Sequence, residues 1–430
     1  MIPKGTLVGP VKLFFSLILL WSILAITSPI EYTVDYRISN VAFLISLFLC
    51  LFIGLFTGQS FSKKIKYTPS DVDISFELKK TILPVLFYLG VIGAFLKVYV
   101  LFFVKGVPLT LDPIIIRLAL LNDVGVGKGG SLSIVSAILF PLLYLYIPLF
   151  FTQRKASRGL KTKLLVVLFF IIADGVLSGG GTSIIVAFLF FIFSTNISKL
   201  SRSQTVLIVL TSFLLFGFAS YMWLLRLETM YGGVQSYMQI FNGYWIASYN
   251  DWFMRNYDEY SVLWQLYYVY SWVNYYFVHG VYEFLHLVNL FESEHTYGMS
   301  QIQLFYKLFG MIGLASHSVE DISSVNIISG HYQTFWGLAF IDFGYFSLIE
   351  ALLIGFLCSY IYYSKIAGRF VGIIFYPYLQ AQLVYSFLSN SLIGQVTYIV
   401  FSGLLLLFVL KIIKWRVNEE NRRFAVEQVL

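Results

Sequence analysis

Charge is scarce in this 430-residue chain. Asp, Glu, Lys and Arg together make up 12% of it, about half the share found in soluble domains. With 58% hydrophobic residues, too few polar side chains remain to cover a water-facing surface, and an ordinary cytosolic enzyme is excluded. Cysteine is nearly absent: Cys50 and Cys358 both fall inside apolar runs, so no disulfide scaffold can be read from them. Low-complexity tracts and repeats at solenoid spacing are missing as well, which removes the disordered and fibrous classes. What the chain has in quantity is aromatic residues, 19% of the total, and long apolar runs. Together they predict a polytopic α-helical membrane protein.

A helix needs about 20 apolar residues to cross the hydrocarbon core of a bilayer. Ten runs read as spans: 11–28, 41–56, 81–104, 131–151, 164–178, 181–194, 205–224, 336–363, 370–388 and 395–413. The fifth and sixth are short and separated by Gly179 and Gly180, which suits a tight hairpin or a broken pair lining a cavity. With both termini cytoplasmic, 21 of the 29 Lys and Arg residues fall on inner segments and every inner loop is basic, the distribution the positive-inside rule requires. The net charge of +7 is therefore an orientation signal, and no nucleic-acid partner is expected. The first run is expected to be an uncleaved helix and not a signal peptide. The expected fold class is an all-α polytopic integral membrane protein of about ten transmembrane helices with one large outer helical loop. Residues 1–224 would hold seven N-terminal helices and a short outer amphipathic segment, 105–130. The large loop would be 225–335, with three C-terminal helices over 336–413 and a cytoplasmic tail over 414–430.

The polar chemistry is lopsided. All five histidines (His279, His286, His295, His317 and His331) lie in the 225–335 segment, with Trp245, Trp252, Trp264 and Trp272 in a field of tyrosines. A loop this long is expected to have its own structure and a function. Its aromatic faces suit two roles equally: platforms for the apolar C–H faces of sugar rings, and anchors at the membrane interface. His279, Glu283 and His286, at i, i+4 and i+7, would share one helix face, as a metal site, a carboxylate-oriented base or a structural hydrogen-bond network. In the second outer segment, Asp112–Pro113 reads as a helix start that presents Arg117 either to phosphate or as a snorkelling side chain. The glycines around Lys128 lack the GK[ST] and the strand of a phosphate loop, and Asp71 and Asp73 read as helix-capping residues. Charges at membrane depth are functional hypotheses by default. Lys97 with Asp174 is one possible pair, Asp342 sits just inside the eighth span, and Glu350, two turns deeper, needs a buried partner.

Thr334–Gly344, TFWGLAFIDFG, resembles in register the TFfGplylDFG signature of bacterial oligosaccharide repeat-unit polymerases, the Wzy-type O-antigen polymerases. Gly106–Arg117, GVPLTLDPIIIR, is similar to that family's outer GiPLl…dp…R segment, and Ser178–Ser183 to its glycine-rich turn between two central spans. Where the family turn commonly carries an arginine, this chain has Gly181. The resemblance implies a membrane-embedded GT-C-like glycosyltransferase at the periplasmic face of the bacterial inner membrane. It would move a growing glycan from a polyprenyl diphosphate onto a lipid-linked repeat unit. Arg117, Arg226 and Arg255 would hold the diphosphate, since guanidinium forks match phosphate oxygens. His331 would be the base or hydroxyl orienter, Glu283 the alternative base, and Asp342 the third catalytic candidate, more suited to orienting the motif. Trp252, Trp264, Trp272 and Tyr332 would bind glycan. No cofactor or metal is implied, and the partners would be the lipid bilayer, polyprenyl-diphosphate-linked oligosaccharides, a chain-length regulator and a lipid-linked glycan flippase. An O-antigen ligase and a transporter of the lipid-linked glycan are the competing expectations.

Overall fold

The computed structural model describes residues 9–64, 76–108, 115, 116, 119, 130–153, 157–177, 182–195, 227–244, 246–258, 260–301, 334–387 and 398–412, with isolated positions between 206 and 225. In chain order the elements are α1 (Pro10–Ile26), β1 (Ile30–Tyr32), α2 (Ile38–Lys64), α3 (Phe76–Tyr99), a π turn (Val100–Val104), α4 (Gly130–Leu139), α5 (Leu142–Phe150), α6 (Arg158–Leu177) and α7 (Thr182–Ser194). They continue with α8 (Val234–Tyr244), β2 (Ala247–Tyr249), α9 (Asp251–Asn256), α10 (Val262–Leu290), α11 (Phe335–Phe343), a 3-10 turn (Gly344–Phe346), α12 (Ser347–Ile366), α13 (Phe370–Tyr385) and α14 (Tyr398–Ile412).

The protein is mostly helical. Four stretches, Ile38–Lys64, Thr81–Val104, Leu132–Phe150 and Phe335–Ile366, are long and apolar enough to cross a membrane, while α1, α13, α14 and Ile184–Ser194 are shorter apolar helices. The expected span 205–224 lies largely outside the described residues. One feature departs from an all-helical reading: β1 and β2 pair antiparallel, Ile30 with Tyr249 and Tyr32 with Ala247. This ribbon ties the link between α1 and α2 to the long loop and satisfies its backbone groups with few residues.

The chain divides into two compact units. The first comprises 1–68, 195–368 and 379–394. Its axis is α2 packed parallel against α12. A Cβ on Gly54 would lie 2.0 Å from the Leu352 carbonyl oxygen, one on Gly58 2.5 Å from that of Phe356, and one on Gly355 2.1 Å from that of Leu51. Only glycine at these three positions lets the backbones meet, as close-packed membrane helices require. The Ser359 hydroxyl donates to the Leu55 carbonyl across the seam at 2.7 Å. A core of Phe14, Leu47, Phe284, Trp336, Phe340 and Phe387 joins this pair to α1, α10 and α11. A second cluster, built on Phe241, Tyr249, Phe253 and Tyr268, organises the loop around the β ribbon.

The second unit comprises 69–194, 369–378 and 395–430. Here α3 packs on α4 and α5 through Gly90 and Gly93, and a Cβ on Gly93 would fall 2.3 Å from the Phe140 backbone nitrogen. Past the π turn, Gly106 takes φ +75° and reverses the chain. Val107 and Ile116 then bury against Phe102, flanked by Val98, Leu101, Ala119 and Leu177.

Candidate functional site

In the first unit the site is built on α10, a 29-residue helix outside the membrane-crossing candidates. Two residues place it. The Asn274 side-chain amide donates to the Leu24 carbonyl at the end of α1 (2.6 Å), and Asn40 at the start of α2 donates to Leu285 (3.4 Å). Between these anchors, Tyr275, His279 and Glu283 follow one another at four-residue spacing on one face.

His279 Nδ1 lies 2.7 Å from the Tyr275 carbonyl oxygen. A carbonyl only accepts, so the proton sits on Nδ1. Nε2 then faces Glu283, 4.0 Å from Oε2, too long for a hydrogen bond. Both side chains are buried, at 1% and 4% exposure. Burial pushes the Glu283 carboxyl up to about 8, so it carries its proton at neutral pH. Tyr275 stacks on the His279 ring with centroids 4.4 Å apart. Tyr32, from β1, stacks on Tyr282 at 4.1 Å. Burial raises the Tyr32 phenol far above its ordinary value, and Tyr282 and Glu283 add to the effect. Chemically, this is an enclosed carboxyl and imidazole with one exchangeable proton beside them, a pair of the kind used for general acid–base work. In this arrangement it is closed off from bulk solvent.

The Thr334–Gly344 motif docks on the same helix. Thr334 caps α11, its hydroxyl accepting from the Gly337 N–H at 3.3 Å. Its methyl group fills the space over Gly280, where a Cβ would sit 2.1 Å from Thr334 Cγ2 and 2.9 Å from the Phe387 carbonyl oxygen. Gly280, which on propensity alone weakens the helix, is what lets Thr334 approach α10 so closely.

Asp342, fully buried, has its carboxylate committed to one task. It accepts from the Thr296 hydroxyl, from the Ser300 N–H at 2.9 Å and from the Gln301 N–H at 3.1 Å. Gln301 also donates to Glu350 at 3.1 Å, giving that residue the buried partner it was expected to need. Gly344 ends the motif at φ +55°, a region that favours glycine, and a Cβ there would strike the His295 ring at 2.5 Å. The acidic and glycine positions of the motif therefore clamp 295–301 onto α11. The role of Asp342 in this structure is positioning.

The other predicted residues are scattered. Arg255 is exposed on α9 and pairs with Asp251 at 2.9 Å. Trp252 and Trp264 lie 5.6 Å apart on the aromatic cluster of the loop, with Trp252 59% exposed. Trp272 packs edge-on against Tyr276 at 4.9 Å, and Tyr276 in turn meets His279. Arg117, Arg226, His331 and Tyr332 lie outside the described residues. Among the described residues no three His, Cys, Asp or Glu side chains gather as metal ligands, and His286 does not join His279 and Glu283 in such a group. Sequence reasoning missed Tyr32, Thr296, Ser300 and Gln301. These are ordinary residue types in connecting segments, with no pattern to mark them.

In the second unit, Lys97 Nζ and Asp174 Oδ1 are 2.6 Å apart, the pairing that their depth in two separate spans suggested.

No family model matches the chain, and neither a curated protein nor a solved structure matches it.

Proposed function

We propose that this protein is a membrane-embedded glycosyltransferase that polymerises polyprenyl-diphosphate-linked oligosaccharide repeat units on the outer face of the bacterial inner membrane. The observation that carries the reading is the docking of Thr334 on Gly280, which seats the polymerase-like motif on the helix that holds the buried His279–Glu283 pair. A hydroxyl of the incoming unit attacks the anomeric carbon of the growing glycan, and the bond to the lipid diphosphate breaks. The acceptor proton passes to a base, with His331 first choice; Glu283, the alternative, serves only once it has given up the proton that burial keeps on it. The departing diphosphate gains charge, which outer arginines stabilise, Arg117 and Arg226 foremost. That chemistry requires no metal, because the cations are side chains. The partners follow from the reaction: lipid-linked glycans, the bilayer, a flippase that delivers them and a regulator of chain length.

The test is reconstitution in nanodiscs with native lipid-linked repeat units in EDTA, resolving products on a gel. A glycan ladder in wild type, lost in Arg117→Ala, Arg226→Ala and His331→Ala, supports the reading. A single transfer to a lipid A core acceptor would make the protein a ligase. Counterflow of intact lipid across vesicles without any ladder would make it a transporter.

A further inference from the structure

The second unit contains a built charge pair that this mechanism does not use. Lys97 sits in the last turn of α3 and Asp174 near the end of α6. Charges at membrane depth persist when they pair, and the 2.6 Å contact is close. Its two ends differ: the Asp174 side chain is 8% exposed, the Lys97 side chain 30%. The pair is therefore a fixed dipole with its anion inside and its cation facing out. Lys97 Nζ also stands 4.7 Å from the centre of the Phe140 ring, a cation–π geometry made possible by the Gly93 contact that draws Phe140 up to α3. Carboxylate and ring together hold the ammonium in one place, and a placed point charge is what phosphate recognition by lysine uses.

The local fold aims a second segment at the same spot. Directly after Lys97 the helix widens into the π turn, with Lys105 N–H donating to the Val100 carbonyl, a distortion frequent at functional sites. Ile116 and Ala119 lie in one apolar cluster with Val98, Leu101 and Leu177. Val98 adjoins Lys97 on α3, Leu101 lies one turn beyond it in the π turn, and Leu177 lies one turn beyond Asp174 at the end of α6.

We infer that Lys97, held by Asp174 and Phe140, is a binding site for the diphosphate of a polyisoprenyl lipid. This rests on the proposed reading only in taking a lipid diphosphate as substrate. An anion arriving from outside meets the cationic end of the dipole first, and the exposed apolar side chains that flank Lys97 along the chain, Phe95, Tyr99 and Phe103, suit an isoprenoid chain.

The experiment uses the full chain in nanodiscs titrated with geranylgeranyl diphosphate, geranylgeraniol and inorganic diphosphate, with thermal unfolding as a check on folding. Lys97→Met should weaken geranylgeranyl diphosphate binding by about tenfold or more without changing the alcohol, and Lys97→Arg should retain it. The exchange Lys97→Asp with Asp174→Lys rebuilds the ion pair with its dipole reversed. It should fold like wild type and bind like Lys97→Met. Wild-type affinity in Lys97→Met or in the folded exchange variant would overturn the site, and inorganic diphosphate binding as tightly as the lipid would overturn its assignment to a lipid. Lys97-dependent binding without any glycan ladder would remove the polymerase and keep the site. A full ladder with unchanged binding in Lys97→Met would do the reverse.

Discussion

Among the described residues, each unit brings a buried carboxyl up to a nitrogen base. His279 and Glu283 stand 4.0 Å apart at four-residue spacing on one helix. Lys97 and Asp174 stand 2.6 Å apart on two different helices. The first pair is enclosed, and its carboxyl keeps a proton because burial disfavours the charged form. The second is ionic, with its cationic end partly open. A pair on one helix inherits a fixed spacing and gains nothing from the fold except burial. A pair drawn from two helices can close to contact, and then acts as a clamp between them. The comparison separates a place suited to storing a proton from a place suited to meeting an anion.

The largest effect should come from breaking the ionic pair. Removing one partner of a buried salt bridge leaves an uncompensated charge, at a cost of about 3–5 kcal/mol. The partial exposure of Lys97 puts Lys97→Ala at the lower end of that range. Unfolding in detergent should show a loss of about 3 kcal/mol for Lys97→Ala, with much of it recovered when Asp174→Ala is added. A double variant whose loss equals the sum of the two single losses would mean that the two residues are not coupled.

Next is Gly280→Ala. A methyl group gains about 1 kcal/mol of helix propensity but meets Thr334 Cγ2 at 2.1 Å. Overpacking costs about 1–3 kcal/mol, so a net loss of up to about 2 kcal/mol is expected, with the ladder weakened and diphosphate binding at Lys97 untouched. A gain in stability would show that α11 does not dock where it is described.

The proton on Glu283 can be read from pH. Its folded value near 8 exceeds the ordinary carboxyl value of 4.5, so between those values the folded state binds more protons than the unfolded state. The stabilisation is complete below pH 4.5. It falls by about 1.4 kcal/mol per pH unit as pH rises and is gone above 8. Glu283→Gln should flatten this slope while leaving stability near pH 5 within about 1 kcal/mol of wild type. Parallel pH profiles for the two proteins would place the titration elsewhere.

How much of this contrast is written in the sequence follows from distance along the chain. The stretches at 41–56, 81–104 and 131–151 are legible because an apolar run is a local property, and Lys97 with Asp174 is legible because charge at membrane depth demands a partner. His279 and Glu283 share a face by helix period alone. The pairing of Tyr32 with Ala247 is not legible: three-residue strands have no periodicity, and more than 200 residues separate them. The clamp on Asp342 is hidden for a different reason. Two of its three donors are backbone N–H groups, which every non-proline residue has. Gly280 reads as a weak point in a helix until its neighbour Thr334 is known.

The smallest expected effect tests the one arginine among the diphosphate candidates whose surroundings are described. Arg255 pairs with Asp251 at the surface, side chains 76% and 89% exposed, so unlike Lys97 it is neither enclosed nor fixed by a second helix. An exposed i,i+4 pair contributes about 0.3–0.5 kcal/mol, and Arg255→Ala should leave unfolding almost unchanged. Its effect on the ladder then separates two accounts of the same residue. Wild-type ladder formation makes Arg255 an ordinary surface charge and leaves diphosphate to the other proposed cations. A lost ladder with intact stability would return Arg255 to the substrate, because a side chain that does so little for the fold would then act on the glycan lipid itself.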